Sequence, residues 1–181
     1  HNIVGTTQID SSVKPINLLD IYNKLPNSFY DKTKFAAITI RIYNPNCTAL
    51  LFTSGKLVIT GSKSLYHCYL ASLHIARMLR NAVYGVDFRV IDTKIQNIVG
   101  HTEIPLKEGQ KLHINRMFET YNDKCTYQKT LFPGVIYRPD DSPVVILCFF
   151  SGKIVITGGK HIEDIQNGWQ RLWGVVKKFV S

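Results

Sequence analysis

The segment Ser54-Gly55-Lys56-Leu57-Val58-Ile59-Thr60-Gly61 recurs 97 positions later as Ser151-Gly152-Lys153-Ile154-Val155-Ile156-Thr157-Gly158. Asn2-Ile3-Val4-Gly5 recurs as Asn97-Ile98-Val99-Gly100 at a spacing of 95 positions. Phe35 and Phe52 keep the longer spacing to Phe132 and Phe149. Self-similarity at a fixed period indicates tandem copies of one supersecondary unit. We therefore expect two repeats, residues 1–92 and 93–181, joined in one body.

Each copy is predicted to contain a strand, a short helix, several strands and a long helix. The long helices are expected over 64–82 and 162–180, and the short ones over 16–25 and 112–121. Runs of β-branched and aromatic residues predict strands over 35–42, 49–52, 57–60, 135–137, 144–149 and 154–157. The helical period is marked by Leu65, Tyr69, Leu73, Ala76 and Leu79 or Arg80, and later by Ile165, Trp169, Leu172, Trp173 and Val176. Both tryptophans are expected to pack in the core.

The composition favours a polyanionic partner. Lys and Arg number 22 against 13 acidic residues, a formal charge of +9, which points to nucleic acid ahead of an anionic membrane. No run of about 18 apolar residues occurs, so no membrane-spanning helix is expected. The four cysteines form no C-x-x-C pair and stand beside no histidines at ligand spacing. We expect no metal site and a reduced intracellular compartment.

Alternation along the predicted strands gives the sheet two apolar faces. Leu51, Leu57 and Ile59 share one face, whereas Leu50, Phe52, Val58 and Thr60 share the other; the second copy repeats the latter set as Leu147, Phe149, Val155 and Thr157. Four helices can cover only one of these faces. A large uncovered apolar face marks a binding surface, or else a second subunit covers it. The pattern alone leaves both alternatives open.

The residues mixed into the uncovered face fit a minor groove. Asn2 and Asn97 project on the side of Val4 and Val99, and Thr60 and Thr157 join them. The floor of the groove offers only acceptors at A·T pairs, while G·C adds an amino donor, so short donors among flat aliphatic groups select A·T. The basic residues Arg41, Lys56, Arg138 and Lys153 are expected at strand ends and turns, where a rim would meet phosphates.

Several long motifs now identify a family. They are Asn-Ile-Val at 2–4 and 97–99, Lys34-Phe35-Ala36-Ala37, Ala49-Leu50-Leu51-Phe52-Thr53-Ser54-Gly55-Lys56, Leu131-Phe132-Pro133-Gly134-Val135-Ile136-Tyr137-Arg138 and the two Val-Ile-Thr-Gly strands. In this order and spacing the chain closely resembles the core of the TATA-box-binding protein family, over both repeats. The resemblance implies an α+β fold: a saddle-shaped, curved antiparallel sheet of two pseudosymmetric halves, with helices on the convex face.

The resemblance also implies a role for each matching position. Phe35, Phe52, Phe132 and Phe149 would wedge between base steps and kink the DNA. Asn2 and Asn97 would donate to the middle base pairs, with Thr60 and Thr157 beside them. Apolar contacts to sugars and base edges would come from Val4, Val58, Val99, Val155, Leu50 and Leu147, and phosphate contacts from Arg41, Arg138, Ser54, Lys56, Ser151 and Lys153. The implied function is a general transcription initiation factor on A·T-rich double-stranded promoter DNA, in the nucleus, or at the site of viral transcription if the protein is virus-encoded.

Two positions and one loop depart from the family pattern. Asn46 and Pro143 stand where basic residues are usual, so fewer phosphate contacts are expected. The loop over 122–130 is longer than usual and lacks glutamates. Whether transcription factor IIB binds this loop in the usual way is therefore left open. Arg77 and Arg80 keep a basic side on the long helix, compatible with transcription factor IIA.

Other function classes are less well supported. Asp140-Asp141 and Glu163-Asp164 are adjacent pairs that fit a turn and a helix start better than an acid/base dyad. Gly55 to Lys63 lacks the spacing of a phosphate-binding loop. We therefore expect no catalytic residues, no cofactor and no small-molecule substrate. The alternative is a protein-interaction module of the same fold with little or altered DNA binding.

Overall fold

The computed structural model describes residues 2–181, which form two compact units, residues 2–96 and 97–181. The first unit contains β1 (Asn2–Ser11), α1 (Leu18–Lys24), β2 (Ser28–Phe29), β3 (Ala37–Tyr43), β4 (Asn46–Phe52), β5 (Lys56–Ser62) and α2 (Leu65–Ala82). Strand β6 (Phe88–Glu103) begins in the first unit and ends in the second. The second unit continues with α3 (Ile114–Thr120), β7 (Cys125–Thr126), β8 (Gly134–Tyr137), β9 (Val145–Phe149), β10 (Lys153–Gly159), α4 (Ile162–Val176) and a 3-10 turn, Lys177–Phe179.

The two units pair their strands in the same way. In the first, the antiparallel order is β2-β3-β4-β5-β1; in the second, the end of β6 pairs with β10, followed by β9, β8 and β7. Helix α2 packs on β1 and β5, and helix α4 packs on β10. Each unit therefore carries its helices on one face of an antiparallel sheet, as the predicted α+β class requires.

Element ends differ from the sequence expectation by a few residues. Strands β4 and β5 are longer than predicted because hairpin pairing continues through polar residues such as Asn46 and Thr48, which apolar patterning cannot detect. Helix α1 starts at Leu18 because the Asn17 side chain accepts from the Asp20 N–H at 3.1 Å and caps it. The last helix ends at Val176, where the backbone tightens into the 3-10 turn.

The buried side of α2 agrees only in part with the helical period in the sequence, since Ala76 and Leu79 are buried as predicted. The buried residues are Cys68, Ala71, Ser72, Ile75, Ala76 and Leu79, whereas Leu65, Tyr69 and Leu73 are exposed. The helix lies so close to β1 that a Cβ on Gly5 would stand 2.7 Å from the Cys68 Sγ. This close approach requires a small side chain at position 68, while the bulkier Leu65 and Tyr69 beside it face outward.

Helix α4 also differs in part. Leu172 and Val176 are buried as the stripe predicts, but Trp173 is 40% exposed and Trp169 is half-buried. Their rings contact each other at a tilt of 31°, with centroids 5.6 Å apart. The expectation that both tryptophans pack in the core is confirmed for Trp169, which packs against the buried cluster of the second unit, and is wrong for Trp173. Asp164 begins this helix as expected, accepting from the N–H groups of Lys160 and His161 at 2.9 Å each.

Within residues 2–181, no helix combines the length and the apolar character needed to cross a membrane.

Candidate nucleic-acid interface

Each unit has one sheet face without a helix among its described residues, which we call its open face. Along β1 the residues from Asn2 to Asp10 alternate between half-buried side chains on the open face and buried ones under α2. The same alternation runs through β4, β5, β9 and β10. The open faces carry Asn2, Val4, Leu50, Phe52, Val58 and Thr60 in the first unit, and Asn97, Val99, Leu147, Phe149, Val155 and Thr157 in the second.

Strand register aligns equivalent residues of the two units in equivalent rows. In the first unit Thr6 lies opposite Val58, Val58 opposite Leu50, and Leu50 opposite Thr39. In the second unit the row is His101, Val155, Leu147 and Ile136. Both rows have an aliphatic centre of Val and Leu, so the repeat in the sequence becomes a repeat of surface chemistry.

Each unit brings its two phenylalanines together. The rings of Phe35 and Phe52 meet edge to face with centroids 6.0 Å apart, and those of Phe132 and Phe149 do so at 5.5 Å. Phe35 is 48% exposed and the other three rings are half-buried. A Cβ on Gly134 would meet the Phe132 ring at 2.9 Å, so the small residue makes room for the pair. Each pair is an accessible aromatic wedge at the start of a β-turn.

The turns after the wedges are built alike. The Gly55 N–H donates to the Phe52 carbonyl and the Gly152 N–H to the Phe149 carbonyl, both at 2.9 Å. Both glycines have positive φ, +86° and +83°, which explains why no other residue stands there. The Ser54 and Ser151 hydroxyls accept from the backbone N–H groups two residues later at 3.3 and 3.4 Å.

The Asn97 side chain is held by hydrogen bonds. Its Oδ1 accepts from the Gly158 N–H at 2.8 Å, and its Nδ2 donates to the Thr157 Oγ1 at 3.1 Å. Asn2, the equivalent residue of the first unit, has its Oδ1 buried without a hydrogen-bond partner in the described part of the chain. The Asn2 oxygen therefore lacks the backbone donor that holds the Asn97 oxygen in the second unit.

The comparisons with known proteins agree on one family. The family model described as "Transcription factor TFIID (or TATA-binding protein, TBP)" matches residues 1–82 and 92–179. The chain belongs to this family. It is 38% identical to the TATA-box-binding protein-like 1 of Entamoeba histolytica, over 97% of this chain and 77% of that protein. It is 36% identical to the TATA-box-binding protein of Candida albicans, over 99% of this chain and 71% of that protein.

A solved structure shows the same fold. The Methanococcus jannaschii TBP superposes with a TM-score of 0.77 at 31% identity, covering 98% of this chain and 96% of that one. The family resemblance and the α+β fold predicted from the sequence are thereby confirmed. The family is one of transcription factors.

Four cations of this TATA-binding protein family member were predicted to meet phosphates. Lys56 and Lys153 begin β5 and β10, and Arg138 directly follows β8, as expected for strand ends. Arg41 instead lies inside β3 and is exposed there, because β3 continues to Tyr43. Lys153 stands 3.9 Å from the Glu103 carboxylate, whereas its counterpart Lys56 lies opposite the neutral Gln8. The rim of the second unit is therefore less positive at this point.

Sequence reasoning missed four open-face residues: Thr6, Thr39, His101 and Ile136. The signal was available, since Thr6 and His101 continue the alternation that starts at Asn2 and Asn97. His101 is the largest chemical difference between the two rows. It places an exposed imidazole where the first unit has a threonine hydroxyl.

The Asp140-Asp141 pair lies in the turn before β9. The Asp140 carboxylate accepts from Lys124 Nζ, and Asp141 occupies a turn with φ of +48°. In the described residues, no three of His, Cys, Asp or Glu are grouped to hold a metal ion. All four cysteines are free and buried; burial raises the pKa of Cys47 and Cys125 to about 11 and that of Cys148 to about 12.

Proposed function

We propose that this chain is a TATA-box-binding initiation factor that binds the minor groove of A·T-rich promoter DNA through its open faces. The observation that carries the proposal is the pair of phenylalanine wedges, Phe35 with Phe52 and Phe132 with Phe149, beside aliphatic rows of matching register. Apolar wedges of this kind partly unstack base steps and kink the duplex. The function is binding, without catalysis.

The energetics allow such a kink. Removing one exposed aromatic ring from water contributes about 1.5–3 kcal/mol, and less for the three rings that are already half-buried. Unstacking costs a few kcal/mol at each kinked step. Four rings therefore roughly offset two unstacked steps. Net affinity comes from the aliphatic rows and from phosphate contacts of Arg41, Lys56, Arg138 and Lys153.

Selection of A·T follows from the donors on the open faces. With its oxygen bonded to Gly158, Asn97 directs Nδ2 away from that backbone group, toward acceptors such as A N3 and T O2. The protruding amino group of guanine meets the flat Val99 and Val155 side chains and finds no acceptor there. The other contacts predicted from the family resemblance also belong to the proposal, such as those of Ser54 and Ser151 with phosphates and that of Val4 with sugars and base edges.

A gel-shift series tests the proposal. A TATA-containing duplex is compared with one in which G·C replaces the central A·T pairs, at several salt concentrations. We expect tighter binding of the TATA duplex and steep weakening as salt rises, because phosphate contacts release counterions. Equal affinity for the two duplexes at every salt concentration would support the alternative, a protein-interaction module that uses the same apolar face.

The proposal extends to partners and place. A general initiation factor acts in the nucleus, or at the site of viral transcription, and nucleates assembly with IIA- and IIB-like factors. Arg77 and Arg80 lie on the exposed side of α2, compatible with a IIA-like contact. In the loop over 122–130, Lys124 pairs with Asp140, and the charges of Asp123 and Lys129 cancel, so the loop is neutral where the family usually has an acidic one. Ternary-complex formation with a typical factor IIB should be weak, and should improve after Lys129→Glu.

A further inference from the structure

His101 places an imidazole ring on the open face of the second unit. A Cβ added at Gly100 would stand 2.6 Å from the Ile165 Cγ2 of α4, so position 100 faces the helix. Successive side chains of a strand point to opposite faces, so His101 points away from α4, as Val99 does. The ring is exposed, and Val155 lies opposite it on β10. It is therefore accessible from the side that is proposed to bind DNA.

The ring lies between the proposed base contacts and a proposed phosphate contact. Val99 precedes His101 by two positions on β6 and Glu103 follows it by two, about 7 Å in each direction. Lys153, which is proposed to bind phosphate, lies opposite Glu103. His101, Glu103 and Lys153 line one recess of about 520 Å³. A duplex whose base edges meet Val99 and whose phosphates meet Lys153 therefore brings its sugar-phosphate backbone past the ring.

The ring of His101 is free of internal partners. Among residues 2–181 it takes part in no hydrogen bond and no ion pair, whereas its counterpart Thr6 accepts a hydrogen bond from Gln96 Nε2 at 2.8 Å. In the described part of the second unit, β10 and the second half of β6 carry one carboxylate, Glu103, and one further cation, Lys153. These two side chains already face each other at 3.9 Å. The imidazole is thus available to an external anion.

We propose that the protonated ring of His101 binds a phosphate of the duplex, and that DNA binding is thereby coupled to the uptake of a proton from solvent. The inference rests on the proposed function, since the phosphate belongs to the same minor-groove complex. Histidine is the side chain whose charge ordinarily changes between pH 5 and 8, and its charged form donates from both ring nitrogens. A neighbouring phosphate favours the charged form. Affinity for DNA therefore rises as the pH falls, because the complex binds more protons than the free protein.

Anisotropy titrations of a labelled TATA duplex with the full chain, at pH 6 and pH 8 and at several salt concentrations, test the proposal. We expect the wild type to bind about tenfold more tightly at pH 6, the effect of one charge-assisted hydrogen bond. Its slope of log affinity against log salt should be steeper at pH 6 by about 0.9, the value for one added phosphate contact. His101→Thr gives the second unit the residue that the first unit has at Thr6, and should lose both differences.

Two further variants and one further measurement sharpen the test. His74→Thr is the matched control, since it makes the same change at an exposed histidine of α2 and should keep the pH dependence of the wild type. His101→Lys is charged at both pH values, so it should bind at pH 8 about as tightly as the wild type does at pH 6. Calorimetry in two buffers of different ionisation enthalpy should show proton uptake on DNA binding by the wild type, and His101→Thr should abolish that uptake.

The outcomes distinguish this inference from the proposed function. No preference for the TATA duplex at either pH would contradict the proposed function and, with it, this inference. A preference for the TATA duplex with the same pH dependence in the wild type and His101→Thr would overturn this inference alone. A pH dependence that requires His101 but leaves the salt slope unchanged would also overturn it, because the ring would then bind a base acceptor instead of a phosphate.

Discussion

The side-chain oxygen of Asn97 accepts a hydrogen bond from the backbone N–H of Gly158 at 2.8 Å. A backbone amide can only donate, so this contact fixes which end of the Asn97 amide is oxygen and which is nitrogen. The Nδ2 group has two protons, and one of them goes to Thr157 Oγ1 at 3.1 Å. In the proposed function, the second proton is the one that Asn97 donates to a base acceptor. The fold thereby orients the donor before any DNA is present.

Asn97→Asp tests that orientation. The variant keeps an oxygen for the Gly158 N–H, so the fold should be unaffected, but it replaces the donor by a charge aimed at base acceptors. We expect a loss of DNA affinity of about 2–5 kcal/mol, against under about 1 kcal/mol for the rim variant Lys153→Ala. Anisotropy titration with a labelled TATA duplex measures both. Equal losses would argue against a central role for Asn97.

Phe149→Ala tests the wedges. Phe149 lies on the open face against Phe132, so its removal should weaken DNA binding and reduce the bend while the fold persists. Energy transfer between dyes at the two ends of the duplex reports the bend. The control is Phe88→Ala, a fully buried ring whose loss should cost about 3–5 kcal/mol of unfolding free energy. If Phe149→Ala unfolds the protein as Phe88→Ala does, Phe149 belongs to the core and the wedge assignment fails.

Two nearby positions on α2 should differ in how strongly their substitution by alanine lowers the free energy of unfolding. Ile75 is fully buried under the sheet, whereas Leu73 is 40% exposed. Ile75→Ala should lower the free energy of unfolding by about 2–5 kcal/mol, because it leaves a cavity. Leu73→Ala should change it by less than about 0.5 kcal/mol. Urea denaturation followed by circular dichroism distinguishes them, and a large loss for Leu73→Ala would contradict the outward orientation of that stripe.

This helix also shows how far the sequence predicts the structure. The repeat between Ser54 and Ser151, with alternation in β4 and β5, was enough to predict the open faces, while the fold class was implied by the family resemblance. The orientation of α2 was not predictable, because the period through Leu65 and Leu73 is as regular as the buried one. Its direction depends on how closely Gly5 lets the helix approach, which is a tertiary contact.

The buried cysteines give a prediction for alkaline pH. Burial raises the pKa of Cys148 from 9.0 to about 12, so the folded state keeps this thiol neutral where the unfolded state ionises it. The stabilisation is complete below pH 9 and is lost as pH rises toward 12. Between pH 9 and 11, Cys148→Ala should reduce the pH dependence of unfolding free energy by about 1.4 kcal/mol per pH unit. Urea denaturation at a series of pH values measures this pH dependence, and an unchanged dependence in the variant would show that the thiol is not desolvated.

At pH 8, iodoacetamide should label the folded protein far more slowly than the urea-unfolded chain.

The rims of the two units should differ in their salt dependence. Lys56 lies opposite Gln8, while Lys153 lies opposite Glu103, whose carboxylate is 3.9 Å away and competes with phosphate. Lys56→Ala should therefore reduce the slope of log affinity against log salt by about 0.9, the value for one lost phosphate contact, and Lys153→Ala by less.

Glu103→Gln removes the competing carboxylate. Lys153 then lies opposite a neutral glutamine, as Lys56 does. In the Glu103→Gln background, Lys153→Ala should reduce the slope of log affinity against log salt by the same amount as Lys56→Ala. Both lysines then bind phosphate without competition from a carboxylate of the protein. Titrations of one TATA duplex at several salt concentrations compare the variants. Equal slopes for the two lysine variants with Glu103 in place would mean that the ion pair across β6 and β10 does not weaken the phosphate contact.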